Sequence, residues 1–388
     1  MSIQVEFLTS LGKISATDWN AITGEDYPFG RHEFLYGLEQ TGCANAETGW
    51  QPCHLVLKDK QGIMAVMPLY LKSHSYGEYV FDWSWADAWR RSGLEYYPKL
   101  LTAIPFTPAT GPRLFTREEA NSTEMWLIAL EAIRHLAEKQ SISSWHVLFP
   151  DEEIASGLLS QGLHRRSATQ FHWFNEGYHS FNDFLDGFTS RKRKSLRRER
   201  TRVAQQGLEL STLQGNEITP QDWLQFHRFY QMTYAKRSGH GGYLSREFFT
   251  ETAATLGDQV VMVLAKKAGV AVAGALYFRS TDTLYGRYWG CEREYDCLHF
   301  EACYYQGIEY CIANGLQRFD PGAQGEHKIQ RGFKPITTYS NHWIADEGLS
   351  SAVEAFTRSE ESHNQSYLSS AASLLPFKQQ DEGLKKAD

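Results

Sequence analysis

Two stretches of this 388-residue chain carry one pattern, and that repeat limits its possible folds more than any other feature. Residues 54–73 read HLVLKDKQGIMAVMPLYLKS and residues 261–280 read VMVLAKKAGVAVAGALYFRS. Aligned without gaps they agree at Val56/Val263, Leu57/Leu264, Lys60/Lys267, Gly62/Gly269, Leu69/Leu276, Tyr70/Tyr277 and Ser73/Ser280. Each copy is an apolar run, a turn at glycine and a second apolar run, the signature of a β-hairpin. A second echo follows in the same order: GLHRRSATQFHWFN (162–175) and GFKPITTYSNHWIA (332–345) share Gly162/Gly332, His172/His342 and Trp173/Trp343. Two markers recurring in order, some 170–207 residues apart, predict one fold used twice. A solenoid repeats every ~20–50 residues.

The rest of each half can be read between these markers. In the first, the hairpin leads to a strand near 79–83, an aromatic loop, and a helix at about 123–140 with Trp126, Leu130, Ile133 and Ala137 on one face. A strand at 144–149, a short helix from Asp151 and a closing strand at 164–174 complete it. The second half has strands at 259–266, 270–279 and 283–290 and a helix at 298–315 ending in Asn-Gly. A strand at 316–320, a short turn and a closing strand at 336–344 follow. Extra helices are expected at 181–187, 190–206, 219–236 and 245–254, with a helical tail at about 349–373. No Gly/Ser or Pro linker separates the halves, so they are expected to pack directly.

Charge is unevenly spread. The net charge of −7 conceals RKRKSLRRERTR (191–202), which alone carries +7, leaving −14 on the remaining residues. An acidic body with one basic stripe suits a single local anionic partner and excludes a general nucleic-acid coat. No apolar run approaches ~18 residues, which excludes a membrane-spanning helix. MSIQVEFLTSLGKIS lacks the basic start and apolar stretch of a secretory leader. The six cysteines form no CxxC pair and read as reduced thiols of a cytoplasmic protein.

Hairpin, strand, helix, strand, short helix and closing strand is the order of the GNAT acyltransferase fold. Two copies, the second opened by a basic helix, resemble the Fem-type aminoacyltransferases and their Fem-like relatives. Several blocks resemble the predicted N-acyltransferase family grouped with them: GEYVFDWSWADA (77–88), YYPKL (96–100), PFTPATGPRL (105–114), SRKRKSLRRER (190–200), LYGRYWG (284–290), LHFEACYYQGIEY (298–310) and PGAQGEHKIQRGF (321–333). The resemblance implies an α/β fold of two tandem GNAT-like domains, with mixed, mostly antiparallel sheets flanked by helices. Their expected extents are residues 1–176 and 177–388. It also implies N-acyl transfer, with aminoacyl-tRNA as a possible donor and an amine on a peptide or cell-wall precursor as acceptor. No tightly bound cofactor is expected.

The residues themselves bear on the donor. Acetyl-CoA enzymes of this fold cradle pyrophosphate in a Gly-rich loop at a helix N-terminus, where backbone N–H groups approach the phosphates. Here the matching loop is CEREYDC (291–297), with no glycine and three acids. KRSGHGG (236–242) has glycine spacing but follows a helix rather than a strand. Coenzyme A is therefore the second choice of donor. On a helix, Arg191, Lys194 and Arg198 share a face with Lys192 at its start, which suits a phosphate backbone or, alternatively, a solvated face.

FDPGAQGEHKIQRGF (319–333) is the expected catalytic centre. A tight turn at Pro321 and Gly322 is followed by Glu326, His327, Lys328 and Arg331. A carboxylate and an imidazole suit proton transfer, and the cations suit an oxyanion or phosphate. Fem-type enzymes carry a lysine in a similar Phe-Lys-x-x-Phe stretch; Gln330 stands at that place here, with Lys328 two residues earlier. Arg287, beside Tyr288 and Trp289 in an aromatic strand, needs a ligand or a structural carboxylate if buried. His299 and Glu301 open the next helix as substrate-binding candidates. Cys297, His299 and Cys303 lack the spacing of a zinc site, so no metal is expected. In the first half Glu78, Asp82, Trp83, Tyr97, Lys99 and Arg113 stand out. Asp82, Trp83 and Arg113 are candidates for holding the acceptor, with loop packing the competing role. The rival from another class is an inert module that binds RNA or a glycopeptide.

Overall fold

A computed structural model describes residues 3–323 and 325–378 of the chain. The first half contributes strands β1 (Gln4–Leu8), β2 (Trp50–Pro52), β3 (His54–Asp59), β4 (Gly62–Met67), β5 (Tyr70–Lys72), β6 (Lys99–Thr102), β7 (Phe115–Thr116), β8 (Ser144–Leu148) and β9 (His164–Phe174). The second contributes β10 (Leu208–Gln214), β11 (Val260–Lys267), β12 (Val270–Arg279), β13 (Thr283–Cys291), β14 (Arg318–Asp320) and β15 (Lys334–Ile344). Both repeat copies are hairpins, β3–β4 and β11–β12, each with a bulge beside its turn. They diverge at one residue. Pro68 occupies the position of Ala275, and because proline has no N–H to donate, the first copy breaks there. β4 stays in a four-stranded sheet, β1-β3-β4-β7, while β5 joins an eleven-stranded one.

That larger sheet runs β10-β11-β12-β13-β14-β9-β15-β8-β6-β5-β2. Each half has a parallel pair, β6 with β8 and β13 with β14. The closing strands are exchanged between the halves. β9 pairs with β14 of the second half, and β15 pairs with β8 of the first. They also pair with each other, from Lys334↔His172 to His342↔His164, so one sheet passes through both halves. The register has a local twofold: Ala168 faces Thr338, the residue that the sequence echo makes its counterpart.

The core is shared in the same way. Of two helices that the sequence reading omitted, Ala16–Thr23 packs on β4 and β7, and His32–Gln40 carries Phe34 onto Phe248 and Phe278 of the second half. Phe29 lies 5.3 Å from Phe278 and 5.1 Å from Tyr285, ring centre to ring centre. Truncating such a buried ring costs about 3–5 kcal/mol. Helix Pro220–Ser238 crosses β12 and β13 closely, because a Cβ on Gly290 would lie 2.2 Å from the backbone of Phe229.

Other expectations changed. Residues 79–83 form no strand. WSWADAWRR instead makes a helix, Trp83–Arg91, that buries Trp85 and Trp89 one turn apart. The neighbouring strand is β6. The helix expected at 298–315 is interrupted by a π-helical turn at Glu301–Tyr305, a local widening that displaces side chains from regular spacing. β1 and β10, both sheet-edge strands, were also unread. Among the described residues no helix is long and apolar enough to cross a membrane.

Because β9 has its two neighbours in the other half, neither half is expected to fold alone. Residues 1–176 and 177–388, expressed separately, should each lack cooperative urea unfolding, and co-expression should restore it. Independent two-state unfolding of either fragment would show that the exchange is dispensable.

Candidate active site

β13 and β14 run together only from Thr283–Tyr285 opposite Arg318–Asp320. β13 then continues to Cys291, while the other chain turns away through Pro321 and Gly322, the latter at φ +91°. A cavity of about 620 Å³ opens in this splay. A register shift against β12 makes Arg287 the extra residue of a bulge, a device that re-aims side chains. Arg287, Tyr288 and Trp289 line one wall, and Tyr234 and Arg237 of helix Pro220–Ser238 line another. The π turn supplies Cys303 and Tyr304, and His299 and His327 complete this side.

The floor of the cavity holds a buried ion pair, Arg287 Nη2 to Asp320 Oδ2 at 2.6 Å. Burial opposes ionisation of Asp320, but Arg287 and then His172 outweigh it and hold the carboxyl well below its usual range. Arg287 Nε is buried with no hydrogen-bond partner among the described residues. Lys328 sits one layer behind, donating to the Gly322 carbonyl at 2.5 Å. Burial pushes its amine down to about 7, and the Asp320 charge offsets this only in part. His327 is lowered to about 4 by burial and by Arg331, Lys328 and Arg237, and His299 to about 3 by burial and by His327. Both imidazoles are therefore neutral at pH 7. His327 Nε2 and the Tyr304 hydroxyl are hydrogen-bonded at 2.8 Å.

Of the residues singled out from sequence, Arg287, Tyr288, Trp289, His299 and His327 share this cavity. Others are committed elsewhere. Glu326 is exposed and accepts a hydrogen bond from Tyr367 on the C-terminal helix at 2.6 Å. Arg331 forks onto Glu199 and covers the Phe300 ring at 3.4 Å. Glu301 is bound by Arg200, tying the basic helix to the π turn. Asp82 is buried against Lys99 and Tyr96. Trp83 meets Tyr76 at a tilt, ring centres 5.1 Å apart, at the surface. None of these five lines the cavity. On the basic helix, Ser190–Gln205, Lys192 bonds the Gln330 side chain, while Arg191, Lys194 and Arg198 are exposed and make no ion pair among the described residues. Sequence reasoning missed Tyr79, Tyr234, Arg237, Tyr243 and Tyr304 on the cavity wall. Tyr79 stood inside the GEYVFDWSWADA block and Arg237 inside KRSGHGG, so both segments had been noticed without the residue.

Arg113 is engaged within the first half itself. The equivalent splay beyond Thr102 is filled by the chain's own loop. Arg113 Nε donates to the Leu148 carbonyl at 2.6 Å and its Nη2 to that of Ala109 at 2.5 Å. Gly111 N–H donates to the Phe149 carbonyl. The twofold also pairs unlike residues: His172 faces Asp320 at 3.6 Å, and its counterpart His342 faces His146, Nδ1 to Nδ1 at 2.7 Å. The carboxylate is present on one side only.

The lowered Lys328 pKa has a measurable consequence. The unfolded chain takes up this proton near 10.5 and the folded chain near 7. Stability relative to Lys328→Met should therefore fall as pH drops from 10 to 7, by up to ~1.4 kcal/mol per pH unit, and level off below 7. A pH-independent difference in urea unfolding would contradict the lowered value.

In solved structures the arrangement has relatives of low sequence identity. The crystal structure of FemX superposes with a TM-score of 0.54 at 12% identity, covering 91% of this chain and 100% of that one. The C-terminal domain of a putative lysylphosphatidylglycerol synthetase from Agrobacterium fabrum gives 0.53 at 11%, covering 89% and 96%. These likenesses establish the fold, which is the tandem GNAT-like one. Comparison with curated proteins found no match. A family model described as peptidoglycan biosynthesis/recognition matches residues 10–379, and the chain belongs to this FemAB-like family.

Proposed function

We propose that the chain is a cytoplasmic N-acyltransferase that moves an aminoacyl group from aminoacyl-tRNA to the amine of a peptide or cell-wall precursor. The observation that carries this reading is one cavity lined by both a neutral imidazole, His327, and a buried guanidinium, Arg287, whose Nε has no hydrogen-bond partner among the described residues. Transfer needs both a proton acceptor and a fixed positive donor for the developing oxyanion. In this reading the acceptor nitrogen attacks the ester carbonyl carbon. The N–C bond forms and the carbonyl pair moves to oxygen, where Arg287 and Arg237 receive it. His327 takes the proton from nitrogen and returns it to the departing ribose oxygen as the C–O bond breaks. Asp320 holds Arg287 charged and in place.

The loop after β13 disfavours coenzyme A. That loop has no glycine, and its acids Glu292, Glu294 and Asp296 are paired with Arg228, Lys236 and Arg202. The free cations of the basic helix favour a phosphate backbone instead, and that helix is tied through Glu199 and Arg200 to the elements that carry His327 and Tyr304. The family's peptidoglycan description supports the acceptor class. The six cysteines are free thiols, which fits the cytoplasm where charged tRNA is found.

Radiolabelled charged tRNA, incubated with the protein and muramyl-peptide precursors, should yield labelled amide. His327→Ala should lower kcat about 10²–10³-fold with KM little changed. Transfer from acetyl-CoA in place of charged tRNA would overturn the donor assignment. Separately, the triple change Arg191→Glu, Lys194→Glu, Arg198→Glu should abolish tRNA binding without loss of thermal stability. Single reversals should flatten the salt dependence of log K by about 1 each. Unchanged tRNA binding by the triple variant would make the stripe a solvated face.

A further inference from the structure

Tyr79 belongs to the first half, yet it lines the cavity of the second. It also lines a smaller cavity of about 260 Å³ bounded by β9, β15 and the C-terminal helix Glu347–Ser373. Among the described residues Tyr79 and Ala323 are the two that line both chambers, and the Tyr79 side chain reaches from this shared wall toward Tyr234 and Tyr288 of the larger one. Its backbone is unusual for an aromatic residue, at φ +61°. The left-handed region costs a residue with a Cβ about 1–2 kcal/mol, so something must hold it there.

The flanking residues do so. Glu78 and Asp82 both bind Lys99, Glu78 at 2.8 Å, and Tyr96 donates to Asp82 at 2.6 Å. All three charged groups are buried. On the other side Gly77, at φ +81°, lies so close to Phe106 that a Cβ would sit 2.6 Å from its ring. The short loop is thus pinned at both ends, with Tyr79 on the wall that the two chambers share.

We propose that Tyr79 is a specificity-determining partition, held by the Glu78–Lys99–Asp82 cluster, that limits the size of acyl group the larger chamber accepts. The inference rests on the aminoacyl-transfer reading above. Removing the ring joins the chambers and admits larger groups. Glycine is the informative replacement, because it takes a left-handed φ without strain while deleting the ring.

The test compares transfer from glycyl-tRNA and from tryptophanyl-tRNA by wild type, Tyr79→Phe and Tyr79→Gly. Wild type and Tyr79→Phe should share one preference ratio for the smaller group, and Tyr79→Gly should narrow that ratio at least tenfold. A ratio unchanged within threefold in Tyr79→Gly overturns the partition. If wild type transfers from neither tRNA, the functional reading fails on its own. The partition is then decided by calorimetric titration with p-cresol, which matches the deleted side chain. Binding to Tyr79→Gly and not to wild type supports it, and no binding to Tyr79→Gly overturns it. Tyr79→Ala, run in parallel, covers failure of the glycine variant to fold.

Discussion

The antiparallel pairing of β9 with β15 holds the molecule together. Each strand closes the half it does not belong to, so its backbone groups are satisfied only when both halves are present. Unpaired strand edges are costly when buried and invite aggregation when exposed. Exchange removes both problems at once and places the second half's β14 next to first-half residues. His172 reaches Asp320 by this route, and Arg318 Nε donates to His172 Nδ1 at 2.8 Å. The floor of the candidate site is therefore built by two halves of the chain.

Duplication gave two similar units, and a few side chains made them unlike. In the first half Arg113 ties the chain's own loop to the splay through backbone carbonyls. In the second, the same opening is kept by glycine at 322 and 325, where φ is +91° and +119°. A buried arginine facing a buried carboxylate is weak evidence of stability, because desolvation offsets most of the attraction. It does fix geometry. Arg287 can turn toward neither solvent nor another partner, and its remaining N–H is directed by default. The neutral histidines and the lowered lysine arise first from burial, which disfavours the charged form, and then from the cations around them.

Parts of this were legible in the residues. The hairpins, the helix Ser122–Gln140 and the closing strands follow from period-two or period-3.6 apolar spacing, and they lie within one or two residues of expectation. The segment 319–333 was recognised by its glycines and clustered charges. Within it, however, proximity in sequence misled: Glu326 and Arg331 flank His327 and Lys328 but face other elements. A 3-10 turn over Glu326–Arg331 sends successive side chains in different directions, so four adjacent polar residues cannot all meet one ligand. Tyr79 and Arg237 were hidden for the opposite reason: the strings that contain them, GEYVFDWSWADA and KRSGHGG, stand out in the sequence, but only the fold carries these two side chains to a cavity built on other elements.

Local properties of consecutive residues determined the repeated unit, its turns, the basic helix and the lack of a glycine cradle after β13. Periodicity and turn chemistry depend on near neighbours, so they can be read along the chain. The exchange of closing strands, the burial of Arg287 against Asp320 and the entry of Tyr79 into the other half's chamber were decided by tertiary structure. Each joins residues far apart in sequence, and the pKa values and free donors at the site come from which groups lose water together when those residues meet.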